Sequence, residues 1–256
     1  MNLVSLGKKC IKASLKVLNK SSVEVIKFKG FAKNIQIVAD LEAEKAIISI
    51  LKKSGYSFTV ISEESETFQI GKNSEIEVYI DPLDGSSYYL FGNKRFCCSA
   101  LMFVKEGRVL ASFVGDLITG DIYYCDEEFA YCNGKKISFS LKSKGERYLV
   151  ASYAIKGERV KKHLPFLADL ADEKILVLNN SGPLEQAMII TGQYDAVLDS
   201  LPVRLWDYCG SAIAEKAGAI LTKKDGSTFE YKNIKQAAIT ARNKEIHKMI
   251  LIASNR

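Results

Sequence analysis

The chain has 256 residues, of which 47% are hydrophobic and 26% are charged, and its formal net charge is +6. This composition is typical of an ordinary soluble protein, and no apolar run approaches the roughly 18 residues that span a bilayer. The positive charge is mild and lacks interleaved aromatic residues, so no nucleic-acid partner is expected. The amino terminus lacks the pattern of a signal peptide, and we therefore expect a cytoplasmic protein without membrane attachment.

The cysteines argue against a zinc site, because none form a CxxC pair and the chain has only two histidines. The six are Cys10, Cys97, Cys98, Cys125, Cys132 and Cys209. In a cytoplasmic chain they are expected to be reduced and mostly buried thiols. A catalytic Cys–His pair is disfavoured, since His163 and His247 both fall in lysine-rich helical stretches.

The first half of the chain is predicted to contain helices followed by strands. Apolar residues at helical spacing predict a helix over residues 3–18, and Asp40 is predicted to open a second helix. Short apolar or alternating runs predict strands at 58–61 and 76–80. Hairpin and turn patterns then predict an antiparallel meander with strands at 97–104, 109–115, 122–125, 129–132 and 137–139.

The second half alternates between strands and helices, which indicates an α/β layer arrangement. The predicted strands are 148–153, 175–178 and 194–198, the predicted helices are 157–170, 183–191, 207–217 and 244–252, and two or three short strands precede the last helix. The pattern changes in a polar stretch at 140–147. We therefore place a soft boundary between an N-terminal α+β half, 1–143, and a C-terminal α/β half, 144–256.

The most informative segment is the hexapeptide Asp-Pro-Leu-Asp-Gly-Ser at residues 81–86. Pro82 and Gly85 are expected to make a sharp turn at the end of the preceding strand. Both carboxylates and the Leu83 carbonyl can then face one small volume. Hard oxygen ligands followed by backbone N–H groups suit divalent cations that hold a phosphate.

Other acidic residues also stand at the ends of predicted elements, where side chains can converge on a cleft. They are Asp40 at a helix start, Glu63 after a strand, and Asp207 after Leu205-Trp206. Each is weak evidence alone, and Asp40 could simply be a carboxylate favoured by the helix dipole. Together with the hexapeptide they predict an all-oxygen site that suits Mg²⁺.

Four segments resemble the inositol monophosphatase family. The hexapeptide resembles its first signature, Asp-Pro-Ile/Leu-Asp-Gly-Thr/Ser, and residues 206–210 with 217–219 resemble its second. Residues 62–65 are similar to its Gly-Glu-Glu-Ser, and residues 38–44 to its Thr-x-x-Asp-x-x-x-Glu helix start. The order and spacing match over nearly the whole chain. The resemblance implies a layered αβαβα sugar-phosphatase fold, with an antiparallel-sheet N-terminal half and an α/β C-terminal half.

The resemblance also implies a set of cation ligands. Glu63, Asp81 and the Leu83 carbonyl would bind one Mg²⁺, and Asp81, Asp84 and Asp207 a second, with Asp81 bridging the two. A third Mg²⁺ is left open, and Mn²⁺ is a possible substitute.

The same resemblance implies the catalytic roles. Asp40 and Ser86 match a carboxylate–hydroxyl pair that orients the attacking water, and Glu63 is a further catalytic residue. The backbone N–H groups of Gly85 and Ser86 would bind phosphate. Ser86 replaces the usual threonine and keeps the hydroxyl. The expected reaction is in-line attack by a metal-activated water, without a phosphoenzyme.

The expected substrate contacts lie mainly in the second half. Inositol-specific members carry a glutamate seven residues before the last aspartate, where this chain has Ser200. Arg204 lies three residues before that aspartate, as in archaeal dual-substrate relatives, and could bind a second phosphate or be a rim arginine in a salt bridge. Tyr153 resembles a substrate-contacting tyrosine, or is a core aromatic. Ser181 and Gly182 resemble a sugar-contacting turn.

The resemblance therefore implies a Mg²⁺-dependent phosphate monoester hydrolase of carbohydrate metabolism. The expected substrates are fructose 1,6-bisphosphate and inositol 1-phosphate, and a homodimer is implied. One alternative is a nucleotide 3'(2'),5'-bisphosphate phosphatase, which needs a surface that stacks on a base. An alternative of another class is a catalytically silent relative that binds phosphosugars or a partner protein.

Overall fold

The computed structural model describes residues 2–28, 35–138, 147–152 and 174–254. Several features of the sequence analysis lie outside these residues, namely the predicted helix at 157–170, Tyr153, His163 and the boundary at 143/144. No helix in the described part of the chain is both long enough and apolar enough to cross a bilayer.

Six helices are described. They are α1 Leu3–Leu18, α2 Val38–Lys53, α3 Ser86–Leu90, α4 Pro183–Met188, α5 Cys209–Ala217 and α6 Lys244–Ser254, with short 3-10 segments at Lys94–Phe96, Ile189–Thr191 and Leu205–Tyr208. The predicted helices at 3–18 and 244–252 are confirmed, while the one at 183–191 divides into α4 and a 3-10 turn.

The strands form one small ribbon and two larger sheets. The ribbon pairs β1 Val25–Phe28 with β2 Ile35–Ile37. The larger sheets contain β3 Phe58–Ser62, β4 Phe68–Ile70, β5 Ile76–Asp84, β6 Cys98–Lys105, β7 Arg108–Asp116, β8 Ile122–Cys125, β9 Ala130–Cys132, β10 Lys135–Ile137, β11 Tyr148–Ser152, β12 Ile175–Leu178, β13 Ala196–Val203, β14 Ile220–Lys223 and β15 Gln236–Ala241. The orders are β10-β9-β8-β7-β6-β5-β3-β4 and β12-β11-β13-β15-β14.

Helices cover and separate the two sheets, as the predicted αβαβα layering requires. Helices α1 and α2 pack on one face of the first sheet, and α4 and α5 contact its β7 strand from the other face. One apolar cluster contains residues of both sheets together with α4 and α5. Helix α6 packs against β13 and β15 and shares a separate cluster with the second sheet. The predicted fold class is confirmed.

Two tight turns follow directly from their residues. Asn133 and Gly134 have φ angles of 52° and 85°, and Glu106 and Gly107 have 51° and 75°. Two successive residues with positive φ match the right-handed twist of a hairpin, and Asn-Gly favours this conformation. The predicted hairpins at both positions are confirmed.

Several predicted boundaries are wrong. Helix α2 begins at Val38, so Asp40 lies within its first turn instead of opening it. Pro82 does not end β5, which continues to Asp84 with an irregular register between Asp81 and Asp84. Proline lacks the N–H that a regular ladder needs, and such an irregularity accommodates it. The first sheet is also mixed, because β3 and β5 pair in parallel.

Candidate active site

Strand register brings the first two predicted acids together. In the parallel pair of β3 and β5, Ser62 stands opposite Ile80, and the Glu63 N–H donates to the Ile80 carbonyl at 3.1 Å. The ends of parallel strands meet at the same edge of a sheet. Glu63 and Asp81 therefore lie side by side, and burial together with the Glu63 charge raises the pKa of Asp81.

A third acid reaches the same place from the second half of the chain. Carboxylate oxygens of Asp81, Asp84 and Asp207 all lie within 4.8 Å of one another. Asp207 is held in the Leu205–Tyr208 turn, where its Oδ2 accepts a hydrogen bond from the Arg204 N–H at 2.8 Å. Glu63 lines the same cavity. The structure thus brings together the four predicted carboxylate ligands.

Gly85 makes the turn after β5 possible. Its φ of +85° lies in the left-handed region, and a Cβ atom there would come within 2.4 Å of the Phe96 carbonyl. Only glycine meets both requirements at low cost. The chain can therefore pass from Asp84 directly into α3, and Leu83, Gly85 and Ser86 all line the cavity.

Asp40 and Ser86 form the predicted carboxylate–hydroxyl contact. Ser86 Oγ lies 2.8 Å from Asp40 Oδ1 and 2.9 Å from the Leu83 carbonyl oxygen, and its single proton can be donated to either. Asp40 is fully buried, and its Oδ2 accepts from the Ile37 N–H at 2.7 Å. This second bond fixes the carboxylate, so the hydroxyl is held in one position at the cavity wall.

The acids are too close together to be fully charged without compensation. Burial raises the pKa of Glu63 to about 8, and the charges of Asp207 and Glu64 add to the shift. Burial and neighbouring carboxylates likewise raise the pKa values of Asp81, Asp84 and Asp207. Like charges in a desolvated site favour protons or a cation.

The donors fit a hard divalent cation. Asp81 Oδ1 is buried and has no hydrogen-bond partner within the described chain. A buried carboxylate oxygen without a donor is expensive unless a cation compensates it. The nearby Cys98 thiol, 3.9 Å from Asp84 Oδ2, has its pKa raised by burial and so stays a neutral, weak donor. The oxygen donors at this site are therefore carboxylates and a carbonyl, a set that hard divalent cations prefer.

The predicted substrate residues lie around the same cavity of about 270 Å³, except Tyr153, which is outside the described residues. Ser181, Gly182, Ser200 and Arg204 all line it. Ser181 Oγ donates to Asp199 Oδ1 at 2.9 Å. A Cβ atom on Gly182 would lie 2.6 Å from Asp84 Oδ2, so this turn packs directly on a predicted cation ligand.

Several lining residues were not predicted from the sequence. Asp199 accepts hydrogen bonds from Ser181 and Gln186, and burial raises its pKa to about 6. An aspartate after the apolar run 196–198 was a usable sign of this position. Lys235 gave no such sign, because it is one exposed lysine among many. The remaining unpredicted members are Ser87, Tyr88, Phe96, Asn180, Leu201, Pro202, Val203 and Trp206.

Comparison with known proteins gives a consistent result. The profile of the inositol monophosphatase family matches residues 2–256. The fructose-1,6-bisphosphatase/inositol-1-monophosphatase of Methanothermobacter thermautotrophicus is 29% identical over 229 residues, which cover 83% of this chain and 80% of that protein. The protein of the same name from Archaeoglobus fulgidus is 31% identical over 223 residues, which cover 83% and 81%.

The fold is also shared with a solved structure. The inositol monophosphatase of Thermotoga maritima matches with a TM-score of 0.79 at 20% identity, covering 100% of this chain and 97% of that one. At this level of identity the match concerns the fold alone.

Proposed function

Because the chain belongs to the inositol monophosphatase family, we propose that it is a Mg²⁺-dependent phosphoric monoester hydrolase acting on sugar or inositol phosphates. The observation that carries the proposal is the cluster of Asp81, Asp84 and Asp207, with carboxylate oxygens within 4.8 Å of one another. Asp81 Oδ1, which is buried and has no hydrogen-bond partner among the described residues, supports a cation at this cluster.

The proposed ligands divide into two sets. Glu63, Asp81 and the Leu83 carbonyl would hold one Mg²⁺, and Asp81, Asp84 and Asp207 another. Bound Mg²⁺ would polarise the phosphoryl group, lower the pKa of water and offset the charge of the leaving alkoxide. Glu63 and Asp207 reach the cluster from the two halves of the chain, so both halves must fold before a cation can be fully coordinated.

We assign the positioning of the attacking water to Ser86 and Asp40. Asp40 accepts a hydrogen bond from the Ser86 hydroxyl, which leaves the serine oxygen able to accept a hydrogen bond from water. The Ile37 N–H keeps the carboxylate from rotating. Water held in this way would attack in line with the leaving group, while the N–H groups of Gly85 and Ser86 bind the phosphate. Acid quenching during turnover should trap no phosphate on the protein.

We propose fructose 1,6-bisphosphate and inositol 1-phosphate as substrates. The two archaeal relatives carry both activities in their names. Ser200 is smaller than the glutamate expected of inositol-specific members, and Arg204 lies at the cavity. A guanidinium can hold a phosphate through two hydrogen bonds, so its presence supports a bisphosphate.

A second candidate is the nucleotide bisphosphate phosphatase. The half-buried rings of Tyr88 and Phe96 line the cavity with their centroids 5.2 Å apart, and Trp206 also lines it. Aromatic faces can stack on a nucleobase. They can equally contact the apolar face of a sugar, so the rings alone do not decide between the two candidates.

A phosphate-release panel tests these proposals. Fructose 1,6-bisphosphate, inositol 1-phosphate and adenosine 3',5'-bisphosphate are each incubated with Mg²⁺, with Mn²⁺ and with a chelator. We expect Mg²⁺-dependent release from the first two. Preference for the adenosine compound would replace the sugar-phosphate proposal. Absence of release from all three would favour a binding protein without catalytic activity.

A further inference from the structure

Two basic side chains of the cavity lie just beyond the paired ends of two neighbouring strands. In the antiparallel pair of β13 and β15, Val203 is opposite Gln236. Arg204 directly follows β13 and Lys235 directly precedes β15, and both line the cavity. Paired residues of antiparallel strands have Cα atoms about 5 Å apart, so the two residues that flank the Val203–Gln236 pair at the same end lie near each other.

Like charges opposite each other are unfavourable unless an anion compensates them. Neither Arg204 nor Lys235 forms a salt bridge with a carboxylate of the described residues. Other lysines of the same segment behave differently, because Lys223 and Lys232 both pair with Glu230. Within the described residues the cavity therefore holds two basic groups outside any salt bridge, although Lys235 is near enough to Asp207 to lower its pKa against the larger effect of burial.

The phosphate that reacts does not require Arg204 or Lys235. In the proposed function it would be bound by Mg²⁺ at the carboxylate cluster and by the backbone N–H groups of Gly85 and Ser86. Arg204 and Lys235 are thus available to a different anionic group of the same substrate. Trp206 helps to fix the arginine, whose guanidinium carbon lies 5.9 Å from the ring centroid.

We propose that Lys235, together with the neighbouring Arg204, binds a second phosphate of the substrate and so determines preference for bisphosphates over monophosphates. The inference rests on the proposed function, since it concerns the substrate of the same site. It adds a residue from the β14–β15 connection, which the sequence did not single out.

The test compares two substrates that differ only in the second phosphate, fructose 1,6-bisphosphate and fructose 1-phosphate. We expect Lys235→Met to lower the ratio of their kcat/KM values about tenfold, mainly through the KM of the bisphosphate, because a charge-assisted contact to phosphate is worth about one power of ten. Methionine keeps most of the length of lysine without the charge. Thermal melting checks that each variant is folded.

Lys232→Met is the matched control. Lys232 is an exposed lysine three residues away and does not line the cavity. The Lys232→Met variant loses one positive charge from the same connection. If Lys235 acted only through long-range attraction of anionic substrates, both variants would change kcat/KM similarly. We expect it to leave the ratio of kcat/KM values unchanged within twofold.

Two results would overturn the inference. These are an unchanged ratio in Lys235→Met, whether or not both kcat/KM values fall equally, and an equal change of the ratio in the control. An equal loss of kcat/KM on both substrates would mean that Lys235 acts through Asp207, with whose charge it interacts. If the wild type released no phosphate from any compound, the proposed function would fail. Calorimetric binding of fructose 1,6-bisphosphate with Mg²⁺ would still decide whether Lys235→Met weakens binding to the cavity.

Discussion

Replacing Asp84 with asparagine should abolish activity and yet stabilise the cation-free protein. Asp84 Oδ atoms lie within 4.8 Å of carboxylate oxygens of Asp81 and Asp207. Two full charges at that separation repel by about 3 kcal/mol at an effective dielectric constant of about 20. Because the raised pKa values keep the cluster partly protonated, we expect a gain on the order of 1–3 kcal/mol, or roughly 3–10 °C in Tm.

The pH dependence of this gain has a defined sign. The pKa of Asp84 is raised in the folded protein from its ordinary 3.8, chiefly by burial and then by the charges of Glu185 and Glu63. Deprotonation therefore favours the unfolded chain, and the wild type loses stability as the pH rises above 3.8. The advantage of Asp84→Asn should be absent below that pH and should grow as the pH rises above it.

The assay is differential scanning calorimetry in chelator and in saturating Mg²⁺, at several pH values. At 100 times its Kd, Mg²⁺ should stabilise the wild type by about 2.7 kcal/mol and Asp84→Asn by much less. Phosphate release should fall at least a thousandfold, by about 4 kcal/mol of transition-state stabilisation. A lower Tm of the variant in chelator would refute the repulsion argument, and retained turnover would refute the site assignment.

Asp126→Asn is a control for which we expect the opposite change in stability. Burial alone would raise the pKa of Asp126, but hydrogen bonds from the N–H groups of Phe129 and Glu128 and from the Tyr131 hydroxyl lower it. Removing this charge should destabilise the protein at neutral pH by about 1 kcal/mol and leave the response to Mg²⁺ unchanged.

Three further substitutions test the surroundings of the cluster. Ser86→Ala should lower kcat about a hundredfold with little change in KM, and Ser86→Thr should retain most activity; equal kcat values would remove the hydroxyl from the mechanism. Gly182→Ala should raise the Mg²⁺ concentration needed for half-maximal activity, because the new Cβ lies 2.6 Å from Asp84 Oδ2; an unchanged Mg²⁺ titration would contradict this. Gly85→Ala should lower the free energy of unfolding in denaturant by more than about 1 kcal/mol, since its φ is +85°; unaltered stability would count against the strain argument.

The cation cluster could be predicted from the sequence because short-range features determine most of it. The alternating run before Asp81 predicts a strand, and the hexapeptide places two acids at its end. Parallel register then brings Glu63 alongside. Even the wrong expectation that Pro82 ends the strand left the acids at the correct edge, since the irregular register of β5 turns the chain there.

The substrate side could not be predicted to the same depth. Lys235 reaches the cavity only through the pairing of β13 with β15, which joins residues far apart in sequence. Nothing local marks that register, because either strand could shift without a change in its apolar pattern. The β1–β2 ribbon was missed for a similar reason, since its strands are short and one pairing is irregular.

The cation cluster and the substrate side of the cavity also differ in which side chains can be replaced without loss of Mg²⁺ binding. Asp207 depends on residue 204 through the backbone, because the Arg204 N–H donates to Asp207 Oδ2. Every residue except proline supplies that N–H. The side chain at 204 can therefore vary with the substrate while the carboxylate stays fixed. Arg204→Met should alter bisphosphate preference and keep the Mg²⁺ requirement, whereas Arg204→Pro should weaken Mg²⁺ binding as well. Equal Mg²⁺ titrations for the two variants would show that Asp207 does not depend on this hydrogen bond.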